Sequence, residues 1–325
     1  DYQANLSIIN ILKSVNSQTK ADVKDILPIL RTRNERVSHE AAEAVFRLTG
    51  SYDAAADELI KVLEKGSLEQ RQTAVKTLGM IGGGANKALP ALNAELTKPD
   101  TVFKSDVNRS ISSIMKTIEP DHNFNLDELL ASLDVGTDQD IKDAANALIK
   151  ATGEYQAVID RLGEIALSDD EQLRNRGLWA LGGLETHQTE ALTKLHEIHK
   201  MKSWDNRSRA AFHIKTILQK IEPGSDIDPD VVLKVMESPN QEVVRYGTQA
   251  YVTLTGKYEP VVDRLIELLQ HDDQYVRANA CQSLAGLKGN AAKALPVLEK
   301  LAEGDVEEYN LARRYAIDEI KRGMK

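Results

Sequence analysis

The chain has 325 residues, more than one hydrophobic core usually serves, and only 5% of them are aromatic, while Ala, Leu, Ile, Glu, Lys and Gln dominate. That composition excludes a β-rich fold and predicts an all-α chain. The net charge of −9 excludes a general nucleic-acid or anionic-membrane binder, whose phosphate contacts need clustered Lys and Arg. It is uneven: 16 basic residues against 15 acidic in 1–120, 12 against 18 in 121–223, and 13 against 17 in 224–325.

In chain order, Leu6-Ser7-Ile8-Ile9-Asn10-Ile11-Leu12 already reads as helix with no cap before it, so residues 1–20 are expected to be a partial leading helix or hairpin. The uncapped start predicts that the chain is a fragment of something longer. From residue 21 the sequence repeats with a step of 103. Leu48-Thr49-Gly50-Ser51-Tyr52 returns as Ala151-Thr152-Gly153-Glu154-Tyr155 and as Leu254-Thr255-Gly256-Lys257-Tyr258, without a gap. Arg71, Arg174 and Arg277 keep the same register, as do Leu78, Leu181 and Leu284, and Ile118-Glu119-Pro120 recurs as Ile221-Glu222-Pro223. Three blocks follow, 21–120, 121–223 and 224–325, expected to form one continuous array.

Within each block the apolar spacing is helical. Val37, Ala41, Val45 and Leu48 form one stripe, Ala74, Leu78 and Ile81 another, and Val107, Ile111, Ile114 and Ile118 a third. Gly50, Gly82-Gly83-Gly84, Pro99-Asp100, Pro120-Asp121, Gly182-Gly183, Pro223-Gly224 and Ser238-Pro239-Asn240 punctuate the stripes. Each block is thus predicted to hold three helical hairpins, about nine in all. A hairpin cannot bury its stripe alone, so neighbours stack, and the expected architecture is an α-α superhelix with a concave inner surface as the default binding face.

The run Asp272-Asp273-Gln274-Tyr275-Val276-Arg277-Ala278-Asn279-Ala280-Cys281-Gln282-Ser283-Leu284-Ala285-Gly286-Leu287 resembles the HEAT repeat, specifically the short bacterial subclass called phycobilisome-lyase HEAT-like. The resemblance extends over essentially the whole chain, strongest in the middle hairpin of each block. It implies an armadillo-like solenoid in which Arg71, Arg174 and Arg277 brace neighbouring repeats through acidic loop residues such as Asp169, Asp170, Asp272 and Asp273.

On each hairpin's second helix, the side opposite the stripe is expected to face the concavity. Phase selects His39, Lys76, Arg109, Lys142, Asn175, Trp179, Phe212, Arg245, Tyr275 and Tyr315 as partner-binding candidates, with Ala278 and Gln282 on the same side. Trp179 stands where the other blocks have Lys76 and Gln282, so it is predicted exposed, as an interface anchor would be. Trp204 reads as a loop plug, and His196 and His199 as members of a solvated outer helix.

No catalytic or cofactor-binding residue is expected. His39-Glu40 is similar to the His-Glu motif of deoxyhypusine hydroxylase, a HEAT-like di-iron enzyme, but the equivalent positions hold Lys142-Asp143 and Arg245-Tyr246, so no metal site is predicted. HEAT-like DNA glycosylases use a basic groove that this charge balance does not supply. Cys281, the only cysteine, forms no intrachain disulfide and reads as an inert, core-flanking thiol. No run of about 18 apolar residues is present to span a membrane, and the compartment stays open. The expected function is a non-catalytic scaffold holding a protein or peptide along the concave face. The alternative is an accessory domain of a larger bacterial enzyme or exported protein, docked on a flanking domain.

Overall fold

The computed structural model describes residues 2–117, 126–134, 136–201, 203–302 and 307–325. The turn expected at Pro120-Asp121 and the first Ile-Glu-Pro copy lie outside these residues, and nothing is described of the Trp204 side chain. All regular structure among the described residues is helical. By contact the chain divides into two compact units, 1–165 and 166–325, the boundary falling inside the second sequence block.

The first unit contains α1 (Tyr2–Ser14), α2 (Val23–Ile26), α3 (Glu35–Thr49), α4 (Asp53–Lys65), α5 (Leu68–Ile81), α6 (Leu89–Thr97), α7 (Lys104–Thr117), α8 (Leu126–Leu130), α9 (Asp138–Thr152) and α10 (Tyr155–Ile165). Here α1, α3, α5, α7 and α9 pack side by side as the row of second helices, with α4, α6 and α8 as the row behind. The leading helix α1 thus belongs to the second-helix row. Arg47 on α3 ties it down, donating to the carbonyls of Leu12 and Val15 at its C-terminal end.

The second unit contains α11 (Glu171–Gly182), α12 (Gln188–His199), α13 (Trp204–Leu218), α14 (Pro229–Val235), α15 (Gln241–Thr255), α16 (Glu259–Leu268), α17 (Gln274–Leu287), α18 (Leu295–Lys300) and α19 (Glu307–Gly323). Its second-helix row is α11, α13, α15, α17 and α19.

The predicted stripes form the core, except that Leu48 is half-buried and Ile118 lies outside the described residues. Val37, Ala41, Val45, Ala74, Leu78, Val107, Ile111 and Ile114 are buried in the first unit, and Leu181, Val276, Ala280 and Leu284 in the second. The repeated Thr-Gly pair has one structural reason. Gly50, Gly153 and Gly256 adopt left-handed backbone at φ 75°, 74° and 68° and end α3, α9 and α15. The threonine hydroxyl before each donates to the carbonyl four residues back and accepts the N–H two residues on, closing the turn.

Close helix approach explains a second register. A Cβ on Gly79 would lie 2.9 Å from the Ser110 Cα, and one on Gly182 2.7 Å from the His213 Nδ1. These pairs occupy equivalent repeat positions, so the small residue lets α5 approach α7 and α11 approach α13.

The arginine brace differs from expectation. Arg71 does use acids, bonding Glu95 at 3.0 Å and Asp100 at 2.7 Å on the following hairpin. Arg174 donates to the carbonyls of Ser168 and Asp169 and stands 3.7 Å from Asp205 on the following hairpin, and Arg277 donates to the carbonyls of His271 and Asp272. The Asp170 and Asp273 carboxylates are engaged as N-caps of α11 and α17, so these arginines hydrogen-bond the loop carbonyls instead.

The histidines of α12 also depart from expectation. His199 is 3% exposed, bonded to the Arg207 carbonyl and the Ser238 hydroxyl, each at 2.8 Å, and His196 is half-buried. Leu192, Leu195 and His199 fall at positions i, i+3 and i+7, so the ring shares the buried stripe.

Candidate functional site

Each unit presents a second-helix face, and the candidates chosen by phase lie on it. In the first unit, Lys76 and Arg109 meet in a groove of about 330 Å³ across α3, α5 and α7, with Glu35, Met80, Asp106 and Ser113. Asp106 organises its charge, 3.2 Å from Arg109 and 3.9 Å from Lys76, which is also 3.3 Å from Glu35. His39, half-buried on α3, and Lys142, half-buried on α9, do not line this groove.

In the second unit the face is aromatic. Trp179 is 43% exposed, Phe212 52%, Tyr275 54% and Tyr315 58%, on α11, α13, α17 and α19. Trp179 and Phe212 each meet the His213 ring edge-on, with centroids 6.2 and 5.3 Å apart. His213 thus wedges two anchors in place, and burial pushes its pKa down to about 4, which keeps the ring neutral. Trp179 is exposed as predicted, and it also touches the next hairpin through this edge.

Asn175 is held from below, accepting a bond from Arg209, which reaches from α13 to Glu171 on α11 as well. On α15, Arg245 lies over the Tyr246 ring at 4.1 Å and lines a cleft of about 190 Å³ between α15 and α17. Ala278, expected on this face, is 5% exposed and belongs to the core. Its methyl turns inward with Cys281, whose thiol burial pushes up to about 12.

Sequence reasoning missed His213, Tyr246 and Gly286 at this face. The signal for Gly286 was available in the repeat, because Met80 occupies its position in the first block. His213 was hidden because its repeat equivalents, Ser110 and Ala316, are small. Among the described residues no group of three or more His, Cys, Asp or Glu is arranged to hold a metal ion. No helix there is long and apolar enough to cross a membrane.

Residues 229–318 match the family model of HEAT repeats. No curated protein matches the chain. Among solved structures, the karyopherin Kap121p, determined bound to the extreme C-terminus of the protein phosphatase Cdc14p, aligns over 98% of this chain at 13% identity with a TM-score of 0.51. The alignment spans 40% of the karyopherin's length. An engineered protein aligns over 98% of this chain and 94% of its own at 19% identity, with a TM-score of 0.38. The fold is that of an all-α array of HEAT-type, armadillo-like helical hairpins.

Proposed function

We propose that the chain is a non-catalytic scaffold that holds a protein or peptide segment on the exposed face of its second-helix row, most strongly in the second unit. The observation that carries this reading is the row of half-exposed aromatics, Trp179, Phe212, Tyr275 and Tyr315, set at one helical phase on a rigid hairpin stack. Water gains nothing from large rings kept outside a core, whereas a partner that covers them desolvates a large rigid area at small entropic cost. Ion pairs that join neighbouring helices, Arg209 to Glu171 and Lys215 to Glu242, hold the anchors at fixed spacing. The karyopherin's hold on another protein's terminus illustrates the mode proposed. The Val276-Arg277 and Ala280 pattern supports placing these repeats in the phycobilisome-lyase HEAT-like subclass.

The test is affinity capture from the source cells with the wild-type chain and a Trp179→Ala, Phe212→Ala, Tyr275→Ala variant of matching helicity. Proteins retained by the wild type and lost from the variant are the expected result. Equal retention by both would move the binding site off this face.

A further inference from the structure

The repeat makes one cleft interpretable by comparison with its own copy. In the first block, Glu35 and Lys76 form an ion pair at 3.3 Å, and Met80 stands one turn beyond Lys76. Two repeat steps later the same positions are Gln241, Gln282 and Gly286, and there the cleft between α15 and α17 is open, with about 190 Å³ of space. Two amides and a glycine thus stand where the first block has an ion pair and a thioether.

Its lining mixes polar and apolar surface, Leu287 included, and carries one sign of charge. Arg245 is the only charged side chain on its walls, among the amides of Gln241, Gln249 and Gln282 and the hydroxyl of Ser283. The Tyr246 ring, 4.1 Å from the guanidinium carbon, restrains Arg245. The nearest acid, Glu242, stands 3.6 Å away through one oxygen and bonds Lys215 at 2.9 Å through the other. Gln282 Oε1 is buried without a hydrogen-bond partner, and an orphaned acceptor gains more from a donor than a hydrated one does.

We propose that this cleft receives a carboxylate side chain from an acidic, extended peptide segment. The carboxylate pairs with Arg245, and a backbone N–H of the segment supplies the donor that Gln282 lacks once its amide turns toward the cleft. A basic side chain would be repelled by Arg245, and an apolar one would leave the guanidinium and amides unmet. The inference rests on the scaffold reading and names its partner chemistry.

The test pans a phage-displayed library of random peptides on the full chain, then measures enriched peptides by fluorescence anisotropy. The binding proteins are the wild type, Gly286→Met, Arg245→Gln and Trp179→Ala. Gly286→Met adds to the cleft wall the thioether that the first block carries at this position. An added Cβ at Gly286 meets nothing within 4 Å, and Met is the better helix former, so this variant keeps its fold. The expected result is a shared Asp or Glu in the enriched peptides and roughly ten-fold weaker binding to both Gly286→Met and Arg245→Gln. Enriched peptides without an acidic residue would overturn the proposal. Peptides that depend on Trp179 but bind both cleft variants normally would overturn the cleft and leave the scaffold reading standing. No enriched peptide at all would overturn both.

Discussion

The buried histidines of the second unit carry the clearest residue-scale consequence. Burial lowers the pKa of His196 and of His213 to about 4, and burial also lowers that of His199. Unfolded histidine titrates near 6.5, so between about pH 6.5 and 4 the unfolded chain binds more protons. Stability is therefore full above about pH 6.5 and falls as the solution is acidified, by about 2 kcal/mol for each of His196 and His213 at about pH 5. Urea titrations across this range check the slope, and His213→Phe, which keeps a ring and removes a titration, should flatten it. A slope unchanged by that substitution would refute the assignment. Cys281 gives a second check. With its thiol buried and raised to about 12, the folded protein should not react with a disulfide reagent at about pH 8, and the urea-unfolded protein should react fully.

At the scale of elements, hairpins are secured by two devices with different energetic signatures. Gly50, Gly153 and Gly256 have no atom within 4 Å of an added Cβ, so Gly→Ala at each should cost only the left-handed penalty, about 1 kcal/mol in thermal or urea unfolding. Gly79→Ala should cost more, about 1–3 kcal/mol, because Ser110 must move and α5 and α7 must separate. Arg71 is buried against fully buried Glu95, which Lys98 at 2.8 Å and the Thr101 hydroxyl also meet, so Arg71→Met should destabilise by about 1–3 kcal/mol through loss of one charged partner of three. Glu95→Gln in the same chain should restore part of the loss. The apolar stripes and the Thr-Gly turns were legible in the sequence because repetition showed each signal three times. The α12 histidines were misjudged because the lysines around them outweighed the spacing of Leu192, Leu195 and His199. Asp170 and Asp273 were misjudged as brace partners because a carboxylate already used as an N-cap looks identical, in sequence, to a free one.

At the scale of the whole molecule, the 103-residue period and the two contact units describe different things. The period sets which residue types recur, and the units set which helices share a core. The faces of the two units differ in chemistry along the same repeat positions: Lys76 and Arg109 in the first, Trp179 and Phe212 in the second. Sequence phase was enough to place these side chains on the second-helix row. It could not show that His213 joins two of them or that the α15–α17 cleft stands open, because both depend on distances between helices.

The central claim, that a partner lies against the second-helix row, is tested most directly by site-specific photo-crosslinking. A benzophenone amino acid is placed at Phe212 in one sample and at Glu197, exposed on α12 outside the second-helix row, in a second. The account predicts crosslinked protein from Phe212, suppressed by Trp179→Ala, and none above background from Glu197. Crosslinks from Glu197 and not from Phe212 would contradict it and place the partner outside the second-helix row.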